Sequence, residues 1–463
     1  MITRDLQWVS EVVGGRLTGG EAGGRSVSSV GTDTRRLIGG ELFVALVGDR
    51  FDAHDHLEDA VAGGASGLLV ERLPEGFRVG EGGPPVVMVD DTLGALQALG
   101  RAVRREVCPW VVGVTGSSGK TSTKDLLDSV LGRTWKTRTT AGNLNNHIGV
   151  PLTLLRLEEG DEVAVVEMGM SGRGEIASLA AIAEPDAAVV TMIGTAHIER
   201  LGTREEIALE KGDLAAAVGP GGLVVLNADD DKTAGIARRC AGRVITAGLA
   251  GGDVRAERVS MRAGAMRFWL AFPDGQGVEV ELPLLGDHMV ANATLAAAVG
   301  WERGLGAGEI AAGLAAVRLT AGRLGRLRVG GFDVLDDSYN ANPDSMRAGL
   351  RSLMMVIPAG SGRRAAVLGH MAELGELEEA EHLALGRELA ASGIDAIFVV
   401  GERAAVIADG VRELGGIEIW EGRGAQECAR ALREWRREGD VLLVKGSRSA
   451  AMEKVIEELQ KGE

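Results

Sequence analysis

The chain has 463 residues and carries 66 Asp plus Glu against 50 Lys plus Arg, a net charge of −16, with 45% hydrophobic residues. That balance argues against a general nucleic-acid or anionic-membrane surface but leaves room for local basic pockets. The length implies two to four domains, each with enough apolar residues for a core.

The opening segment, MITRDLQWVSEVVGG, is charged throughout and lacks the apolar stretch of a secretory signal peptide. No apolar run reaches the roughly 18 residues that would predict membrane insertion. Cys108, Cys240 and Cys428 share no metal or redox spacing and read as reduced thiols of a cytoplasmic protein. ELFVALVG, GASGLLVE and PPVVMVDD are apolar runs bounded by turn residues, as expected of buried strands. A helix, TLGALQALGRAVRREV, then leads to Pro109. From WVVGVTG onward, the strands VAVVEMGM, AAVVTMIG and GGLVVLNAD alternate with the helices TSTKDLLDSVLG and TREEIALEKGDLAAAV. Such alternation predicts βαβ units and a mostly parallel sheet. A third block starts near Arg318 and holds FDVLDDSYN, AAVLGHM, AIFVVG and VLLVKGS, again separated by helices. The expected class is α/β in three domains: a small N-terminal α/β domain (1–90), a central parallel-sheet ATPase domain with a phosphate loop (91–317), and a C-terminal doubly wound α/β domain (318–463).

TGSSGK lies between the strand WVVGV and the helix TSTKDLLDSVLG. Backbone N–H groups at such a turn and helix start would face a phosphate. Lys120 would add charge on the terminal phosphates, and Thr121 would offer a hydroxyl to Mg²⁺. The full GxxxxGK[ST] pattern needs glycine at position 114, where this chain has Val114. A serine-capped glycine turn is the plainer reading, but Lys and Thr directly after the last glycine speak against it. No NKxD guanine reader and no LSGGQ signature is present, which leaves ATP-driven metabolic chemistry as the leading class.

Glu167 ends the strand VAVVE, and ligands of open parallel sheets bind beyond such ends. A carboxylate there is either a solvated strand-end acid or a Mg²⁺ ligand. His197 follows the next strand and is either a core histidine or a group that binds metal or positions phosphate. Thr203 and Glu206 form a capping-box pattern at the next helix. Eight lysines are present, none before Lys120. Lys211 lies two turns into that helix, beside Glu210 and Asp213. One reading is an exposed lysine near acids. The other is a carbamate, formed on a desolvated neutral amine and able to bind metal.

Together these segments resemble the Mur ligases, ATP-dependent amide-forming enzymes of peptidoglycan precursor synthesis. The resemblance covers nearly the whole chain and rests on GTDTRRLIGGELFVALVGDRFDAHDHL, TGSSGKTS, TAGNLNNHIGVP, VVEMGMSGRGEI, IGTAHIERLG, LEKGDL, LLGDHMVANATLAAA, LTAGRLGRL, DDSYNANPDSM and VLGHMAELGE. It implies ATP and Mg²⁺ as cofactors. Thr115, Gly116, Ser117, Ser118, Gly119, Lys120 and Thr121 would cradle ATP. Asn292 would contact adenine, Arg323 the γ-phosphate, and Asp337, Tyr339, Asn340 and Asn342 would complete the nucleotide site. Glu167, His197 and carbamylated Lys211 would organise metal ions with Thr121. Thr140, Asn143 and Asn146 would face the muramoyl-peptide, and Thr34 and Arg35 would hold uridine diphosphate. The branch implied joins D-alanyl-D-alanine to UDP-N-acetylmuramoyl-tripeptide and works as a monomer. His370 stands where family members commonly carry aspartate.

The implied reaction activates a carboxylate as an acyl phosphate, which the dipeptide amine attacks. Lys120, Lys211, His197 and Arg323 are the expected catalytic groups, and no general base stands out. Arg323 lies beyond the phosphate-loop block, so the third domain must close on the second, with a hinge expected near 317–322. Rival readings are another Mur-type or folylpolyglutamate synthetase-like ligase, a P-loop ATPase switch, and an inactive UDP-sugar-binding module. The DNPR and YAHxP motifs of the tripeptide-forming branch are missing.

Overall fold

The computed structural model describes residues 1–19, 24–77 and 83–461. The chain builds three principal sheets in succession. The first has five strands, in the order Arg16–Thr18, Val86–Met88, Gly67–Val70, Leu42–Val44 and Val30–Gly31. All its pairings are parallel except that of Arg16–Thr18 with Val86–Met88. Leu42, Phe43, Val44, Leu68, Leu69 and Val70 are fully buried. Burial on both faces is what their uninterrupted apolar runs require.

Helix Thr92–Val107, capped by the Asp91 side chain, carries the chain onward. Its inner face places Leu96, Leu99 and Val103 in one apolar cluster with Leu6 and Val9 before it and with Val111, Val150 and Val166 after it. Gly100 permits a close crossing: a Cβ there would meet the Pro151 backbone at 2.8 Å. The first two blocks therefore share a core across this helix.

The second sheet has nine strands. Six are parallel, in the order Thr137–Thr139, Val163–Glu167, Trp110–Thr115, Ala187–Val190, Leu223–Asn227 and Arg243–Gly248. Val254–Arg262 then joins in parallel, and Ala265–Ala271 and Gly277–Leu282 extend it as an antiparallel meander. That meander adds to the parallel sheet expected from the strand–helix alternation. Its local cause is visible in the turn: Ala263 and Gly264 both have positive φ, as a two-residue primed hairpin needs. The strands alternate buried and exposed residues, so they carry no long apolar run.

The third sheet runs Gly325–Val329, Phe332–Asp337, Val441–Lys445, Arg364–Leu368, Ala396–Val400 and Glu418–Gly422. After the first hairpin all pairings are parallel, with helices between successive strands. Residues 317–324 join this lobe to the second sheet's lobe. Thr320 is tied back to it, its N–H and hydroxyl meeting the Asp125 carboxylate at 2.7 and 3.2 Å. Among the described residues no helix is long and apolar enough to cross a membrane.

Candidate functional site

Sheet register puts three strand ends side by side. Val114 pairs with Glu167, and Thr115 pairs with Val190. The segment 116–119 leaves the middle strand and enters helix Lys120–Leu131. Both glycines there are required. Gly116 has φ +153° and faces the Thr191 hydroxyl, and Gly119 has φ +85° and lies against the Asn292 amide. The helix start has no side-chain cap, so its free N–H groups and dipole point into a cleft of about 530 Å³. Lys120 Nζ donates to the Gly116 carbonyl at 2.7 Å, which folds the side chain back over the loop. Burial pulls the Lys120 pKa down, and Glu167 and Glu373 oppose that shift.

Glu167 is 2% exposed. Its backbone N–H donates to the Thr140 hydroxyl at 2.9 Å, and its Oε1 accepts from Asn145 Nδ2 at 2.7 Å. Oε2 has no partner. A buried carboxylate oxygen left unpaired beside a phosphate loop fits a cation. Among the described residues no three His, Cys, Asp or Glu side chains form a ready metal cage. Mg²⁺ needs none, because it keeps waters and takes one or two carboxylates together with substrate phosphates.

Helix Arg204–Ala216 begins with the Thr203 side chain accepting from the Glu206 N–H. The acids next to Lys211 are engaged elsewhere. Glu210 accepts from the N–H groups of Gly174 and Ile176 at 2.8 and 2.9 Å, and Asp213 pairs with Arg239. Lys211 is 0% exposed and its Nζ has no hydrogen-bond partner. The structure thus overturns the exposed-lysine reading. Burial, seconded by the neighbouring Lys120 charge, holds the Lys211 pKa well below the ordinary lysine range. An unpartnered neutral amine is the species that reacts with CO₂.

His197 stands at the N-cap position of helix Ile198–Leu201 with φ +65°, and its side chain makes no capping bond. Its Nδ1 lies 2.6 Å from Glu373 Oε2 of the C-terminal lobe. Other groups cross the same boundary. Arg323 Nη2 donates to Thr121 Oγ1 at 3.1 Å while its guanidinium lies 4.1 Å from the Tyr339 ring centre. Asn342 Nδ2 donates to the Ser117 carbonyl at 3.3 Å, and the Thr195 N–H donates to Asp344 at 3.1 Å. Asp337 pairs with Lys445 Nζ at 2.5 Å, and Asn340 offers its carbonyl to the same amine at 3.0 Å.

The cleft thus gathers Ser117 to Thr121, Asn143, Asn146, Glu167, His197, Asn292, Arg323, Asp337, Tyr339, Asn340 and Asn342. Thr115 and Gly116 lie buried at its floor. Two expected groups play supporting parts. Thr140 is buried beneath the cleft and holds the Glu167 backbone, and Asn146 Oδ1 accepts from the Gly149 N–H at 2.9 Å. Thr34 and Arg35 sit apart on the first lobe, with Arg35 paired to Asp33 at 2.8 Å. Lys445, Glu373, Asn145 and His288 were missed in the sequence. The scarcity of lysine was the available signal for Lys445, at the end of a buried strand. Burial pushes His288 down to about 4.

Comparison with known proteins follows the same outline. A family model described as the Mur ligase middle domain matches residues 114–300, and one described as the Mur ligase glutamate ligase domain matches 322–448. A Bacillus subtilis protein named UDP-N-acetylmuramoyl-tripeptide–D-alanyl-D-alanine ligase is 36% identical over 468 residues, covering 99% of both chains. A crystal structure of MurF from Acinetobacter baumannii superimposes with a TM-score of 0.89 at 32% identity, covering 99% of each chain. MurF from Thermotoga maritima, solved in complex with ADP, gives 0.82 at 29% identity, covering 94% of this chain and 97% of that one.

Proposed function

This chain belongs to the Mur ligase family, and from that membership we propose an ATP-dependent ligase that joins D-alanyl-D-alanine to UDP-N-acetylmuramoyl-tripeptide. The observation that carries this reading is the convergence of two lobes on one phosphate loop, with Arg323 reaching Thr121 across the boundary. ATP binds with its phosphates over 116–121, Lys120 neutralising the outer ones and Asn292 beside the base. Thr121 and Glu167 hold Mg²⁺ with His197 and the carbamate of Lys211, and Asp337, Tyr339, Asn340 and Asn342 close the site. The bound ion neutralises phosphate charge.

A carboxylate is a poor electrophile because oxide is a poor leaving group. Phosphoryl transfer converts it to an acyl phosphate, from which phosphate can depart when an amine attacks. Lys120 and Arg323 stabilise charge on the transferring group. Docking of the C-terminal lobe keeps water from the acyl phosphate. The uridine diphosphate end lies on the first lobe near Thr34 and Arg35, with Asn143 and Asn146 toward the peptide. The dipeptide enters from the C-terminal lobe, where a cavity of about 590 Å³ opens between His370, Arg403, Arg423 and Lys454. The domains divide near 90 and 317, with the hinge at 317–322.

The test supplies ATP, Mg²⁺, tripeptide substrates ending in lysine or diaminopimelate, and a panel of dipeptides, and reads phosphate and amide. Amide formation with D-alanyl-D-alanine is expected. Phosphate release independent of any dipeptide would favour a P-loop ATPase switch and end the ligase reading. Arg323→Ala should lower turnover by about 10²–10³-fold; unchanged turnover removes its assigned role.

A further inference from the structure

We propose that Glu373 of the C-terminal lobe is the positioning carboxylate for His197, so that the cation side of the phosphate site is completed only when the two lobes dock. The inference deepens the function proposed above and rests on it. A ring whose Nδ1 faces a carboxylate has its tautomer and orientation fixed, and its Nε2 is left to turn toward the site. Here the carboxylate oxygen comes from the opposite lobe and lies 2.6 Å from Nδ1, in ion-pair contact but off the line of a hydrogen bond, which a small turn of the ring would complete.

Two observations separate this pair from a chance surface contact. First, both partners hold unusual backbones: His197 has φ +65° and Glu373 φ +62°, conformations unfavourable for any residue with a Cβ. Such conformations persist where the surroundings over-determine them. Second, the backbones themselves are docked. The Glu199 N–H donates to the Glu373 carbonyl at 3.4 Å, and a Cβ on Gly375 would lie 3.4 Å from Glu199 Cα. Leu374, between them, is 2% exposed and anchors the loop in the C-terminal core.

His197 belongs to the central lobe, and its orienting group belongs to the other. An open lobe would leave the ring free to turn, and docking would set it. Glu373 acts through His197 and touches no reacting atom.

The test titrates Mn²⁺ by electron paramagnetic resonance into full-length protein holding a non-hydrolysable ATP analogue. It compares wild type with Glu373→Ala, Glu373→Gln and His197→Gln. Glu373→Ala should weaken Mn²⁺ binding about 10–100-fold, toward the His197→Gln value, and Glu373→Gln should weaken it less. In ¹⁵N-histidine spectra, with His197→Gln for assignment, the His197 Nδ1 signal should lose its protonated character in Glu373→Ala. Wild-type Mn²⁺ affinity in Glu373→Ala, alongside loss in His197→Gln, overturns the proposal. Should Glu373→Ala fail to fold, an unchanged His197 signal in the similarly sized Glu373→Met, which offers no oxygen, overturns it equally. These readings need no ligase turnover, so absence of amide product from wild type would sink the functional reading separately.

Discussion

Two buried lysines on opposite lobes show how one side chain serves two purposes. Lys445 ends a strand of the C-terminal sheet, is 2% exposed, and meets Asp337 and the Asn340 carbonyl. Lys211 lies within a helix of the central lobe, is 0% exposed, and meets no acceptor. Burial lowers the pKa of both, but Asp337 opposes the shift at Lys445 and the Lys120 charge deepens it at Lys211. A paired buried charge is an anchor. An unpaired buried amine is left available for chemistry.

The largest expected effect falls on the anchor. Lys445→Ala leaves Asp337 uncompensated and should destabilise the C-terminal lobe by about 3–5 kcal/mol. Hydrogen exchange along Val441–Lys445 reads this without assuming that the whole chain unfolds in one step. The paired substitution Asp337→Asn with Lys445→Met should recover most of the loss. If Lys445→Ala were no worse than the paired variant, Lys445 would be no anchor. Next comes the unpaired amine. Lys211→Met keeps the length and apolar burial of the side chain but has no amine to form a carbamate, and should reduce turnover about 10²–10³-fold with little loss of fold. Lys211→Ala should regain part of its rate from added short carboxylates, and wild type should slow in bicarbonate-free buffer. Full activity in Lys211→Met would erase the distinction between the two lysines.

The anchor was harder to read than the chemistry. TGSSGKTS lies within a few consecutive residues, so strand, loop, helix and reactive groups are all local, and the sequence shows them in order. The βαβ alternation is local in the same way, and it yielded the parallel sheets. Lys445 and Asp337 are far apart in the chain, and only strand order makes them neighbours. His197 and Glu373 meet only because two lobes dock, which no spacing encodes. The meander over 254–282 carries the period-2 alternation of half-buried strands, not the continuous apolar runs by which the parallel strands stand out. The family resemblance placed Thr140 toward the muramoyl-peptide; its side chain is buried and accepts from the Glu167 N–H, a contact that follows from the position of Glu167 and not from any local pattern.

A third base, half-buried at the cleft wall, tests how far desolvation alone suffices. His288 lies near Lys445 and Asp337, and burial holds it at about 4 against an ordinary value of 6.5. The unfolded chain takes up a proton near pH 6.5, and the folded one resists until about 4. Stability from this group is therefore complete above 6.5 and declines as pH falls from 6.5 toward 4, by up to about 3 kcal/mol. His288→Gln should flatten the change in denaturation midpoint between pH 7 and 5. An equally steep decline in that variant would assign the effect to other groups.

The smallest effect concerns the side chain that joins the two regions. Asn342 caps helix Pro343–Met355 through the Ser345 N–H and donates through Nδ2 to the Ser117 carbonyl of the phosphate loop. Asn342→Ala should remove both, loosening the helix by about 1 kcal/mol and raising the KM for ATP. Asn342→Asp separates the roles, because a carboxylate caps a helix start as well as an amide does but cannot donate to a carbonyl. It should keep hydrogen-exchange protection of the helix at the wild-type level while still raising the KM, since an anion would face the loop that receives the phosphates. If Asn342→Asp binds ATP as wild type does, the contact with Ser117 is packing without consequence, and the lobes must be coupled through Arg323 and Glu373.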